Sequence, residues 1–217
     1  MQPVPIQNFI EKLALRLTEP LPGMSAHADA APLPGRLKEN PAYDHAEASV
    51  MILIMDSEQG PFFPLITRQS HPKDPHKGQV SLPGGKKDPA DPNLAFTALR
   101  ETQEEIGLPA QNIQIVGSLS PLYIPVSKFL VNPFVGWYDG PHNFRIEHAE
   151  VQSLLKCPLQ DLRNPNLYSH REMQTSYAQS IRVKGFELDG AWVWGATAMI
   201  LKEFAWILQE LQARLDS

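Results

Sequence analysis

Proline constrains this chain more than any other residue: it occupies 21 of 217 positions, roughly twice its usual share of about 5%. A proline ring fixes φ and removes an amide donor, so it ends helices and is excluded from central strands. Many loops with fixed bends are therefore expected between short regular elements. From Glu19 to Tyr43 the chain carries Pro20, Pro22, Gly23, Pro32, Pro34, Gly35 and Pro41. That stretch reads as a linker or arm laid over the surface, not as a second domain. Residues 71–77 contain Pro72 and Pro75 and must form a loop.

Between these interruptions the apolar pattern predicts the elements. Phe9, Ile10, Leu13, Leu15 and Leu17 predict a helix over residues 6–18. Residues 49–55 form a nearly continuous apolar run, expected as a strand buried on both faces. Residues 62–67 read as its partner across the turn Ser57-Glu58-Gln59-Gly60. Pro83-Gly84-Gly85 closes a short extended piece. A helix is predicted over 92–106, with Leu94, Ala95, Ala98, Leu99 and Ile106 turned inward. Asp91 is its expected N-cap, Pro92 its first residue and Gly107 its left-handed stop. Further strands are expected at 113–118 and 130–138, a helix at 147–156, and a strand pair or extended segment at 177–188. A long helix over 192–215 closes the chain, with Trp192 and Trp194 packing at its start. Strands interleaved with helices predict an α/β domain over 46–217, a mixed sheet between helical layers. Residues 1–45 supply an N-terminal helix and the proline-rich arm.

Bulk properties remove several classes. A net charge of −5 speaks against wrapping nucleic acid, which needs clustered excess Lys and Arg. Cys157 is the only cysteine, so no intramolecular disulfide forms, and beside Leu154, Leu155 and Pro158 it reads as a small packed residue. Glu11 and Lys12 interrupt the first apolar stretch, and the longest apolar run, 191–201, is too short to span a bilayer. A cytoplasmic protein with no membrane partner is expected. The N-terminal helix and arm offer a surface for a homodimer.

The chemistry concentrates in Gly84-Gly85-Lys86-Lys87-Asp88, then Asp91, then Arg100-Glu101-Thr102-Gln103-Glu104-Glu105-Ile106-Gly107-Leu108. Helix positions three and four apart share a face, so Glu101 lies beside both Glu104 and Glu105. Such a cluster is unfavourable unless compensated, and hard cations are what oxygen-rich, negatively charged clusters attract. Arg100, four residues before Glu104, is placed to hold that side chain. The glycine pair lets backbone approach an ion closely. Three glutamates on a helix are more often a solvated face; here the paired glycines, the capped helix and the glycine stop accompany them.

This constellation resembles the signature of the Nudix family: Gly, five residues, Glu, seven residues, then Arg-Glu-apolar-x-Glu-Glu-x-Gly-apolar. Arg100, Glu101, Glu104, Glu105, Gly107 and Leu108 match, with Thr102 at an apolar position. Upstream, Asp91 replaces Glu, and eight residues separate it from Arg100. Those departures resemble the branch that includes coenzyme A diphosphatases. So do Gly78-Gln79-Val80-Ser81-Leu82-Pro83-Gly84-Gly85, the Ala98-Leu99-Arg100-Glu101 join, and Val193-Trp194-Gly195-Ala196-Thr197-Ala198. That branch usually carries Leu-Leu-Thr-x-Arg-Ser, a second Arg four residues on, and Phe-Pro-Gly-Gly. Here Gln69 and Asp74 stand in place of the two arginines, and Leu82 in place of Phe.

The resemblance implies a Nudix fold and metal-dependent hydrolysis of a nucleoside diphosphate linkage. The implied metal is Mg²⁺ or Mn²⁺, held by Glu101, Glu104, Glu105 and the Gly85 carbonyl. Arg100 supports the site, and Glu104, Glu105 or Glu150 takes the proton of the attacking water. Glu147 and Glu150 also suit the N-terminus of a helix electrostatically. Arg68 and Lys77, with Lys73 as a further cation, and Gly84 are expected at the substrate. His71 and His76 read as loop residues, and Tyr123 and Phe129 as candidate pocket walls. Coenzyme A or an acyl-coenzyme A would yield 3′,5′-ADP and (acyl-)4′-phosphopantetheine. The alternatives are another nucleotide, such as ADP-ribose or a dinucleotide, or a non-catalytic nucleotide-binding scaffold.

Overall fold

The computed structural model describes residues 6–32, 37, 44–69, 78–175 and 178–216. The doubly buried apolar run is strand β1, Ala46–Ile54. Side chains alternate across a strand, and the two faces of β1 serve two cores. Met51 and Leu53 pack with Ala98 and Ile106, while Ile52 and Ile54 pack with Leu13, Phe204 and Ile207. β1 runs parallel to β7, Phe129–Tyr138, and antiparallel to β4, Gly84–Lys86. β5, Ile113–Ser118, and β6, Leu122–Ile124, both pair antiparallel with β7 and complete a five-stranded mixed sheet. Helix α3, Leu94–Ile106, covers one face. Helices α1, Ile6–Leu17, and α4, Gly195–Asp216, cover the other. In one three-stranded sheet β2, Phe62–Arg68, runs between β3, Val80–Ser81, and β8, Val151–Pro158. In the other, β10, Ala178–Leu188, runs between β9, Tyr168–Thr175, and β11, Ala191–Trp194.

Four expectations change. The turn at 57–60 forms, with the Gly60 N–H bonded to Ser57 O at 2.9 Å, but β1 and β2 meet only at the Met55–Phe62 bridge. β7 takes one edge of β1 along its length and β4 takes the other over Ala48, Ser49 and Val50, while β2 pairs with β3 and β8. Residues 147–156 are not a helix. Val151-x-x-Leu154-Leu155 has helical spacing, but β2 offers an open edge, and pairing along it overrides the local pattern. The last helix begins only at Gly195, because Trp192 and Val193 extend β11 against β10. The proline-studded stretch also contains a short helix, α2, Met24–Ala30, with Ala26, His27 and Ala30 buried.

Below α2 lies a polar cluster in an otherwise apolar layer. The fully buried Glu203 shares a 3.0 Å hydrogen bond with His27 Nε2 and accepts from Gly23 N–H at 2.9 Å, the Ser120 hydroxyl at 2.7 Å and Ser120 N–H at 3.2 Å. Every lone-pair direction is used, as burial of a carboxylate demands. Among the described residues no helix is long and apolar enough to cross a membrane. Cys157 is buried, and burial pushes its thiol well above the ordinary range.

Candidate active site

α3 begins after Asn93, whose side-chain oxygen accepts from Phe96 N–H at 2.9 Å. It stops at Gly107, whose φ of 75° lies in the left-handed region that favours glycine. Asp91, the expected cap, has a different partner. Arg100 grips it from two nitrogens, Nε to Oδ1 at 3.0 Å and Nη2 to Oδ2 at 2.9 Å. Asp88 N–H and the Thr97 hydroxyl complete its shell, each at 2.9 Å. For a buried carboxylate a two-point guanidinium fork is the stronger partner, and Asn93 is left to cap. The Arg100 contact holds Asp91 well below the usual carboxylate range and raises Arg100 in turn.

Arg100 is thereby aimed. Its Nη1 stands 2.8 Å from both Glu101 Oε1 and Glu104 Oε2. Glu104 is the outer member, its side chain 56% exposed. Glu105 is the inner one, 2% exposed. Its Oε2 accepts from Gly84 N–H at 2.8 Å, and its Oε1 is 4.0 Å from Arg68 Nη1. Burial pushes Glu105 up to about 8 against the pull of that N–H and of Arg68. Glu101 is raised as well, first by burial, with Arg100 opposing. Gly85 leaves room for the Glu101 carboxylate: a Cβ there would stand 2.4 Å from Glu101 Oε2.

Glu150 is exposed on the turn before β8, close enough to Glu101 and Glu105 to raise both carboxyls. Main-chain bonds fix that turn. Arg145 N–H bonds to Ile106 O at 2.9 Å, Glu147 N–H to Glu105 O at 3.0 Å, and Gln69 N–H to Glu150 O at 2.8 Å. The Gln69 side chain adds one bond, Nε2 to His148 O at 3.1 Å.

A NUDIX domain model matches residues 45–175 of the chain. The chain belongs to the Nudix family. Nudix hydrolases named NudL are similar to it over most of their length. That of Photorhabdus laumondii is 29% identical over 202 residues, covering 93% of this chain and 97% of the relative. That of Pectobacterium atrosepticum is 34% identical over 165 residues, 76% and 84% of the two chains. Among solved structures, the Nudix hydrolase RenU of M. smegmatis shares the fold at a TM-score of 0.51 and 16% identity, covering 79% of this chain and 87% of that one. The chain is thus a Nudix hydrolase, an enzyme acting on pyrophosphate bonds of nucleoside diphosphate derivatives.

Within this Nudix site the structure brings together Arg100, Glu101, Glu104, Glu105, Gly84, Gly85, Arg68 and Glu150. Lys77, with His71, Lys73, Asp74 and His76, lies outside the described residues. Gly84 spends its N–H on Glu105. Trp192 and Trp194 sit on β11, where the Arg171 guanidinium stacks over the Trp192 ring at 4.5 Å. Tyr123 and Phe129 lie on the paired strands β6 and β7. Sequence reasoning missed the Asp91–Arg100 clamp, because the burial that makes Asp91 need a two-point partner is set by the fold.

The donor set fits a hard divalent cation. All its oxygens come from carboxylates or backbone, and the one residue whose side chain would block Glu101 is a glycine. Among the described residues no three or more His, Cys, Asp or Glu side chains are placed to hold an ion by themselves, so the remaining positions fall to backbone, water and substrate. Mg²⁺ in particular takes one or two carboxylates and fills its remaining positions with water and substrate phosphate.

Proposed function

We propose that the enzyme hydrolyses the diphosphate linkage of coenzyme A or an acyl-coenzyme A, giving 3′,5′-ADP and (acyl-)4′-phosphopantetheine. The observation that carries the hydrolytic part is the Arg100 clamp, which keeps Glu101 and Glu104 beside the glycine pair while Glu105 is held from below by Gly84. Support for the substrate comes from the Asp91 spacing and from the run 78–85 leading into the glycines.

Glu101, Glu104, Glu105 and the Gly85 carbonyl are the residues that would hold Mg²⁺ or Mn²⁺. A bound cation supplies neutralisation of the diphosphate oxygens and a lower pKa for water. The chain's own residues do the rest. Arg68, at the end of β2 and directed at Glu105, presents a guanidinium to the anionic substrate. Arg100 orients two carboxylates without contacting substrate. One of Glu104, Glu105 or Glu150 accepts the proton of the attacking water; Glu150 is solvent-exposed and held by the main chain of its turn.

One observation favours a second reading, hydrolysis of ADP-ribose or a dinucleotide. Gln69 stands where the coenzyme A branch has an arginine, and its amide is engaged with His148 O. A panel of coenzyme A, acyl-coenzyme A, ADP-ribose and NADH with Mg²⁺ and Mn²⁺ separates the two. We expect coenzyme A or its acyl form to be turned over fastest, and Glu104→Gln to abolish turnover with an unchanged Tm. Wild-type activity in that variant refutes the catalytic assignment, and preference for ADP-ribose or NADH refutes the substrate.

A further inference from the structure

β1 carries one residue out of keeping with its surroundings. Ser49 opens the run Val50-Met51-Ile52-Leu53-Ile54, is 0% exposed, and its hydroxyl has no hydrogen-bond partner. Leaving a buried hydroxyl unpaired costs about 1–3 kcal/mol, whereas an alanine of similar size there costs nothing comparable. Native proteins keep few such groups, and each calls for a reason.

The register of the sheet supplies one. Residues two apart on a strand face the same way, so Ser49 points with Met51 and Leu53 toward α3. Across the ladder it stands directly opposite Gly85. Side chains of opposed residues lie on one face, about 5 Å apart at Cβ. On that face the place of a Gly85 side chain is taken by the Glu101 carboxylate, 2.4 Å from where a Cβ would be. An unpaired buried donor and a metal-ligand candidate thus share one small compartment between β1, β4 and α3. The visible partner of Glu101 is Arg100, which holds its Oε1 from the outer side.

We propose that Ser49 is a positioning residue of the Nudix site, its hydroxyl steadying the Glu101 carboxylate from below while a divalent cation is held. The inference rests on the assignment of Glu101 as a ligand. It explains why a polar residue stands at a fully buried position: the hydroxyl is unpaired in the fold and finds its use in the loaded site. Ser49 touches neither water nor substrate in this scheme. It acts through Glu101.

The test is Mn²⁺ binding to the full chain, followed by electron paramagnetic resonance of the free ion, beside thermal unfolding in a chelator. Wild type is expected to bind Mn²⁺; failure to do so overturns the metal assignment itself and is read before any variant. Ser49→Ala is expected to keep or raise Tm in the chelator, since it deletes an unpaired group. Its Mn²⁺ affinity is expected to fall about tenfold, the worth of one hydrogen bond to a charged group. Ser49→Thr, which keeps the hydroxyl, is expected to recover most of that loss. Mn²⁺ affinity within twofold of wild type in Ser49→Ala overturns the proposal, as does a Tm lowered by several degrees, which would mark the hydroxyl as structural. If Ser49→Ala does not fold, Ser49→Cys, of nearly the same shape and a weaker donor, carries the same comparison.

Discussion

Replacing Glu105 by glutamine separates what this carboxyl does for the site from what it does to the fold. Glu105 is 2% exposed, and burial pushes its pKa from 4.5 up to about 8. In the unfolded chain the group ionises at its ordinary value, so between the two values folding must take up a proton. The sign follows: the carboxyl costs no stability below pH 4.5, and the cost then grows with each pH unit until it levels off above pH 8. At 1.36 kcal/mol per pKa unit this amounts to about 3 kcal/mol at pH 7 and about 5 kcal/mol on the plateau. Glutamine is never charged, fits the same space, and still offers a carbonyl to Gly84 N–H. In the chelator-treated protein Glu105→Gln is therefore expected to be more stable than wild type at pH 7. A chain of this size shifts by roughly 2–4 °C per kcal/mol, so the rise is about 6–12 °C. Calorimetry at pH 4, 7 and 9 reads the pattern directly: no difference, a clear gain, a larger gain. A gain independent of pH, or a variant less stable than wild type at pH 7, refutes the electrostatic reasoning.

The two glycines are expected to fail differently. Gly84→Ala sets a Cβ 2.3 Å from Ser49 O and 2.6 Å from Val50 Cα; backbone cannot yield cheaply, and a loss of about 3 kcal/mol or more by chemical denaturation is expected. Gly85→Ala meets first the flexible end of Glu101, so its Tm should stay within a few degrees while kcat falls at least tenfold. Glu203→Leu strips His27, Ser120 and Gly23 of their common acceptor and should cost about 3–5 kcal/mol, again measured by denaturation. Burial raises Glu203, but the His27 ring, Ser120 and Gly23 N–H outweigh it and hold the group below its usual value. Its contribution is accordingly present above about pH 4.5 and lost as the pH falls, so the gap between wild type and variant should narrow in acid.

The catalytic helix was legible because its signals are local. Four-residue spacing sets Arg100 on Glu104, and Gly107 ends the helix by its own conformation. Elements whose state depends on a distant partner were not. Residues 151–158 carry a helical apolar spacing and become a strand only because β2 has a free edge, a fact no window of that length contains. Asp91 failed as a cap for the same reason: its partner, Arg100, is brought round by two turns of helix. His27, in a stretch that reads as a surface arm, is buried by a glutamate 176 positions away.

The turn that carries Glu150 is anchored by amides and carbonyls, to the end of α3 at Glu105 and Ile106 and to the end of β2 at Gln69. Apart from the Glu147 carboxylate, which accepts from Ala149 N–H at 3.0 Å, its shape is set by the backbone. Exchange of the exposed Glu150 side chain is therefore expected to leave the end of α3 in register. A substitution at Glu150 would change the charge beside Glu101 and Glu105 while the backbone anchors beneath it stay in place.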